Sequence, residues 1–503
     1  MKLLLFILLL FAFVISTLGQ DTFDPRINDY DVQHYTIRFV PNLQNKTFSG
    51  VLSISAKIIH PTGKIILDAS NTTLTIDSVT QIDNELKSYR CYFEHQNDKI
   101  NIQLVKNSSN EVLLYIFYHG ISDFNGEFNN GGIFFAKRNG HPYVATSSEP
   151  NFTHKWLPCK DIPSDKATVK IVIEVPESLT VASNGNLINT TDISDSTRTF
   201  AWETKYPIPT YLFFFAAGVY TIITDNYVTV EGKDLPIKYY VYPEYIEQAK
   251  ETFKNTKKML AFMENKFGPY PFRNEKYGIV MVPGNLTMEN QTITSIQDSL
   301  IFTEEAEPTL IHELSHHWWG NMITPSNWHH TWLNEGFATY TTALYYEYYL
   351  GKNIYHNFMN QYMSPAQGSY CGSIVGQSDT SFWDSFSDRV YYKGAIVLHM
   401  LRKIVGDSSF FKILKDYSSN TKFLYSNVTT EDFIQECEHF SGQKLDWFFK
   451  QWVYAKIDYI DRPKLSYKWN SKKYDNGYKL SFTIKQLSSD LYLFRLPFEI
   501  SVA

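Results

Sequence analysis

"LIHELSHHWWGN", residues 310–321, sets His312, Glu313, His316 and His317 within six consecutive positions. Read as a helix, with Pro308 in its first turn and Gly320-Asn321 as its stop, the stretch predicts a helical segment over 308–321. At about 100° per residue, His312 and His316 lie about 40° apart and one turn along, so their imidazoles can converge on one cation about 2 Å from each nitrogen. His317 falls about 140° from His312 and faces elsewhere. Glu313 would stand beside the cation, where a carboxylate can hold a water. A polar helix face with hydrogen-bonded histidines explains the same residues, so the stretch alone does not decide.

The next stretch does more. "WLNEGFATYTTALYYEYYL", residues 332–350, predicts a second helix from 334, with Asn334 as N-cap and Glu335 in its first turn. An acidic residue there favours the helix N-terminus whatever else it does. Beside two helical histidines, Glu335 becomes the natural third ligand. Two histidines, one carboxylate and an open fourth position is a catalytic zinc arrangement, whereas a structural site is closed.

The rest of the chain bounds the context. With 503 residues it exceeds one compact core, so about two to four domains are expected. Hydrophobic content of 44% against 19% charged excludes a disordered chain, and a dispersed net charge of −6 speaks against nucleic-acid binding. The opening "MKLLLFILLLFAFVISTLGQD" reads as a secretory signal peptide over 1–19. Its apolar run is shorter than the roughly 20 residues of a spanning helix, so a retained membrane anchor is the lesser alternative. Sequons at Asn45, Asn71, Asn107, Asn151, Asn189, Asn285, Asn290 and Asn427 agree with a secreted, glycosylated protein. Cys91, Cys159, Cys371 and Cys437 are too few for a disulfide scaffold, and none has metal-binding spacing.

Apolar–polar alternation in "YTIRFV", "GVLSISAKII", "KATVKIVIEV" and "LTVAS" predicts an antiparallel β domain over 20–228. Helical spacing then appears in "EYIEQAKETFKNTKKMLAFMENKF" and dominates a second domain, 229–455. Strand patterns return over 456–503, where the chain stops on a strand without an evident partner, as in a short form or an incomplete gene product. The fold class is therefore multidomain α+β.

"HELSHHWWGN", with eighteen residues between its His316 and the glutamate of "WLNEGFATY", resembles the gluzincin zinc aminopeptidases of the aminopeptidase N type. "YTIRFVPNLQNKTFSGVLSI" resembles that family's opening strands, and "WLPCKDIPSDKATVKI" its "FPCxDEPxxKAxF" segment, so the likeness runs from about 30 to 460. It implies an N-terminal β saddle domain, a thermolysin-like α/β catalytic domain, the start of a small C-terminal β-sandwich, and one zinc ion per chain. It also implies roles. "LTMEN", 286–290, matches the family's "GAMEN" substrate-binding strand, which makes Glu289 the carboxylate for the substrate's α-ammonium and places Met288 and Asn290 along the substrate. Glu149 of "ATSSEP" stands where the family has a second amine-binding group, and Tyr391 of "VYYKGA" where it has the hydroxyl that stabilises the oxyanion.

The mechanism implied is hydrolysis of the N-terminal residue from peptides with a free amine. Glu313 serves as general base, and His312, His316 and Glu335 hold the zinc. The chain departs from the family at Leu286, Thr287 and Ser147, which replace glycine, alanine and glutamine; bulk at 286 is expected to reshape the cleft. A glycan on Asn290 would fill that cleft, so this sequon is expected to be unoccupied. A thermolysin-like endopeptidase and a catalytically silent peptide-binding relative remain as alternatives.

Overall fold

The strand Tyr30–Asn42 buries Tyr30 and Val32, then Tyr35, Ile37 and Phe39. The inward set changes phase because a bulge between Val32 and His34 inserts one residue against the neighbouring strand Thr47–Ile58. The computed structural model describes residues 24–105, 110–125, 130–284, 286–368, 372–376, 385–455, 464–487 and 493–496. The leader, Asn107, Asn285 and Cys371 lie outside them.

Around Tyr30–Asn42 an eight-stranded sheet is laid down in the order Asn186–Ser194, Thr197–Pro209, Lys166–Pro176, Tyr30–Asn42, Thr47–Ile58, Glu111–Ile121, Leu74–Ile82, Ser88–Arg90. The sheet is antiparallel as expected except at one pair. Tyr30–Asn42 runs parallel to Lys166–Pro176, with Tyr35 opposite Val169. Alternation along a strand reports which face is buried and is blind to the direction of the neighbour, so the parallel pair left no trace in the sequence. A second sheet of Thr180–Ser183, Phe215–Gly218, His141–Ser147 and Gly132–Arg138 follows, and Glu149 sits just beyond the end of His141–Ser147.

The sheet of the helical region begins at Thr221–Val228, and continues through Asp234–Val241, Tyr277–Val282 and Ile293–Gln297. Tyr277–Val282 is buried at every position, as expected of a strand covered on both faces. Helices Ile246–Phe253 and Thr256–Phe267 break at Lys254-Asn255. The remaining helices stack around Trp332–Leu350, of which Trp332 to Tyr345 is wholly buried. Beyond them Leu465–Tyr474 and Gly477–Gln486 form a hairpin. Cys91, Cys159 and Cys437 are buried free thiols. Among the described residues no helix is long and apolar enough to cross a membrane.

Candidate active site

The helix bearing the histidine motif runs Ala306–Ser315, five residues short of the expected stop at Gly320, and His316 is its capping residue. Beyond it the chain folds back on itself. The Asn321 amide donates to the His316 carbonyl at 2.9 Å, and those of Met322 and Ile323 to His317 and Trp318 at 3.2 Å each. The turn requires φ +130° at Gly320, where a Cβ would stand 3.4 Å from His316 Nδ1. Helical φ and ψ at His316 nevertheless keep the two imidazoles one above the other, so the spacing argument survives the early stop.

The second helix starts earlier than expected, at Trp332, with Thr331 in the capping position. Asn334 is therefore a buried residue inside the helix and does not cap it. Glu335 remains in the first turn. Its Oε2 lies 3.3 Å from His312 Nε2 and 3.4 Å from His316 Nε2, and the two imidazole nitrogens are 3.1 Å apart. Tetrahedral ligands about 2.0–2.1 Å from one zinc ion are separated by about 3.3–3.4 Å, so this triad fits that ion. His316 Nδ1–H donates to the Trp319 carbonyl at 2.9 Å, which leaves Nε2 as the free lone pair. Two other groupings, Glu289–Glu313–His316 and Glu149–Glu289–Glu335, also cluster within 4.8 Å. Of the three groupings only His312–His316–Glu335 offers an imidazole pair, the donor set that suits zinc, while the other two are carboxylate-rich.

Charge explains the rest of the cavity. Burial, then the neighbouring carboxylates, holds the carboxyls of Glu149 and Glu313 well above their usual range. Glu289 is raised by burial against the pull of His316. Burial opposes protonation of His316, yet Glu289 and Glu335 raise it to about 10. Burial likewise opposes ionisation of Glu335, but His316 and His312 bring it down to about 2. Four carboxylates around two imidazoles leave the cavity short of positive charge. Glu149 Oε1 and Glu289 Oε1 are buried without a hydrogen-bond partner among the described residues.

Tyr391 lies on a π-helical turn, Arg389–Lys393, and its ring stacks on that of His312 at 6.2 Å between centroids. Burial, then Glu335 and the other three carboxylates, raises its phenol well above the usual value, so a neutral donor faces the triad. A cavity of about 390 Å³ opens beside it, lined among others by His312, Glu313, Tyr362, Tyr391 and Tyr392. His317 points away, as expected: its Nδ1 meets Tyr270 Oη at 2.9 Å amid the rings of Tyr270, Phe272 and Tyr277.

Residues 286–290 do not form the expected strand. A single bridge joins Met288 to Ser295. Leu286 is 6% exposed and packs with the core. Thr287 Oγ1 accepts from the Gln297 amide at 2.9 Å, and Asn290, 2% exposed, donates to Ser295 Oγ at 3.1 Å. Met288 is half-buried. Two features escaped sequence reasoning, a contact between Gly336 and Gly394 and the side chain of Asn321, because neither carries a motif-like signal.

Two family models match, the peptidase M1 N-terminal domain over residues 31–212 and the peptidase family M1 domain over 251–452. The chain belongs to peptidase family M1. Aminopeptidase M1-C of Oryza sativa subsp. japonica is 29% identical over 84% of this chain and 49% of its own length. Glutamyl aminopeptidase of Sus scrofa is 25% identical over 88% and 50%. The chain thus spans about half the length of the curated relatives it matches. A mutant M1 zinc metallopeptidase from Deinococcus radiodurans, solved with a Tyr-Ser-Ala substrate, superposes with TM-score 0.72 at 23% identity, covering 85% of this chain and 95% of that one. That likeness shows a shared fold.

Proposed function

We propose that the chain is a zinc aminopeptidase that removes the first residue from peptides with a free N-terminus. The observation that carries the reading is the pair of buried, unpartnered carboxylate oxygens of Glu149 and Glu289 beside the His312–His316–Glu335 triad. Two carboxylates closing on one point select a cation and would repel or sterically stop a continuing chain, so the α-ammonium sits there and the cut falls one residue in. Zinc held by the triad supplies Lewis acidity, lowering the pKa of water toward about 7 and polarising the scissile carbonyl.

The chain's own residues do the remaining work. Glu313, 8% exposed and with a raised pKa, takes the proton of the attacking water and passes it to the leaving amine. Tyr391, kept neutral, donates to the oxygen on which charge develops, a contact worth roughly 3–4 kcal/mol where comparable donors have been removed. The substrate continues from Tyr391 into the 390 Å³ cavity, whose lining includes neither Glu149 nor Glu289 and so lies on the leaving side of the bond. The signal-peptide reading of residues 1–19 supports a role in the secretory pathway.

The test is hydrolysis of aminoacyl amides with free and with acetylated amines, together with metal analysis of the purified protein. One zinc per chain, chelator-sensitive turnover and strong preference for the free amine are expected. Faster cleavage of the acetylated series would replace the reading with an endopeptidase, and absence of both zinc and turnover with a peptide-binding protein.

A further inference from the structure

The N-terminal domain does more than cover the site. From the first residue of its strand Lys166–Pro176, Lys166 reaches across the domain boundary and donates to three carbonyls: Met322 at 2.8 Å, and Asn321 and Ser426 at 3.2 Å each. An ammonium has three N–H donors and a trigonal set of carbonyls uses all of them. Among the described residues its polar partners are these backbone carbonyls, and burial holds its pKa well below the usual lysine value. The two segments it joins are the fold-back after His316 and the chain entering the strand Asn427–Val428.

Asn321, 0% exposed, stands at the centre of that fold-back. Its backbone amide donates to the carbonyl of the ligand His316 at 2.9 Å, while its side-chain Nδ2 donates to the carbonyl of Glu289 at 2.7 Å. One residue therefore ties a metal-binding histidine to the backbone of the carboxylate assigned to the substrate amine. Thr324 Oγ1 donates chiefly to the Gly320 carbonyl at 2.5 Å, with the Asn321 carbonyl at 3.2 Å as a secondary acceptor. Two more hydrogen bonds cross the same seam. Asn184 Nδ2 donates to the Gln291 carbonyl at 2.8 Å, and the Gly185 amide to Thr292 Oγ1 at 2.8 Å.

We propose that Lys166 and Asn321 are positioning residues through which the N-terminal domain sets the place of Glu289 relative to the metal triad, and hence the affinity for a free α-ammonium. The proposal rests on the aminopeptidase reading. Both residues act through Glu289, so their loss is expected to appear in substrate binding and to spare the chemistry at Glu313.

The test compares full-length wild type with Asn321→Leu and Lys166→Met, on aminoacyl amides with free amines and with zinc content and melting temperature measured in parallel. KM is expected to rise about five- to tenfold in each variant, the equivalent of about one lost buried hydrogen bond. At the same time kcat is expected to stay within about threefold and zinc at wild-type occupancy. A purely structural role lowers the folded fraction, which reduces apparent kcat and leaves KM unchanged, and that result in a folded variant overturns the proposal. Failure of both variants to fold also overturns it, since the tie would then serve folding. If wild type itself fails to prefer free over acetylated amines, it is the aminopeptidase reading that falls.

Discussion

Gly336→Ala tests whether the gap between the two catalytic helices sets the position of Tyr391. Gly336 follows the ligand Glu335, and Gly394 follows Tyr391 by three residues; the helices Trp332–Leu350 and Gly394–Val405 touch where these glycines face each other. A Cβ on Gly336 would stand 3.0 Å from Gly394 Cα, 3.0 Å from the Val390 carbonyl oxygen and 3.1 Å from Gly394 C. All three are backbone atoms and cannot rotate away. Ordinary Cβ contacts begin at 3.4 Å, so the helices must part by about 0.4 Å (3.4 less 3.0) at the turn that carries Tyr391. Overpacking of this kind costs about 1–3 kcal/mol, or a melting temperature lower by roughly 2–10 °C in a domain of this size. A shift of about 1 Å at a reacting group costs on the order of a hundredfold, so a displacement of about 0.4 Å predicts roughly a tenfold loss of kcat. Glu335, next to Gly336, moves with the same helix while His312 and His316 sit on another, so kcat is compared at saturating zinc and metal content is read in parallel. Steady-state kinetics, thermal unfolding and metal analysis decide it. A variant that loses stability and keeps wild-type kcat would refute the link between the glycine contact and Tyr391.

Glu313→Gln should retain zinc and lose about 10²–10⁴-fold in kcat, read by metal analysis and single-turnover hydrolysis. Tyr391→Phe should lose about 10²–10³-fold in kcat with little change in KM. His399, pushed down to about 4 by burial and then by Lys403 and Arg402, is neutral in the folded chain, whereas the unfolded histidine protonates near 6.5. The unfolded state therefore binds more protons between these values, and the stability that His399 contributes is full above 6.5 and lost as pH falls through about 4. His399→Phe should gain up to about 3 kcal/mol relative to wild type between pH 7 and pH 4, measured by denaturant titration at each pH. In a secretory host, glycans are expected at the exposed Asn45 and Asn189 and absent from Asn290, which is buried, and from Asn427, whose Nδ2 donates to the Pro163 carbonyl at 2.9 Å. Site-resolved mass spectrometry on active protein checks this.

The convergence of the proposed metal donors was legible because their geometry is local. His312 and His316 need only one helical turn, and Glu335 needs only the first turn of the next helix, so errors of several residues in helix ends left their convergence intact. That Glu149 and Glu289 come together was suggested by resemblance alone, since nothing in their spacing announces that they meet. What stayed hidden depends on distant backbone. Lys166 ends on three carbonyls, Gly336 meets Gly394, and the strand Tyr30–Asn42 has a parallel neighbour; a carbonyl, a hydrogen and a strand direction have no letter in a sequence. The fold-back at 316–323 was misread for the same reason. It is stabilised by main-chain hydrogen bonds that Asn321 and Gly320 permit, in a stretch whose side chains look helical.

The balance of charge in the cavity ties these parts into one argument. Glu149, Glu289, Glu313 and Glu335 share a buried space with two imidazoles, and ionised carboxylates cannot gather there unless compensated. In the proposed reading a divalent ion on the triad would supply two charges, and a substrate ammonium between Glu149 and Glu289 a third. The remaining carboxyl, Glu313, has its pKa raised, as suits a group that must both accept and return a proton. A peptide with a blocked amine brings no charge and leaves two desolvated carboxylates facing each other, each raised toward its protonated form by burial. Discrimination against it then arises largely from the cost of the uncompensated pair, and it should weaken as pH falls and these carboxyls take up protons. Measured ratios of kcat/KM for free over acetylated substrates that stay flat with falling pH would break this account of the site.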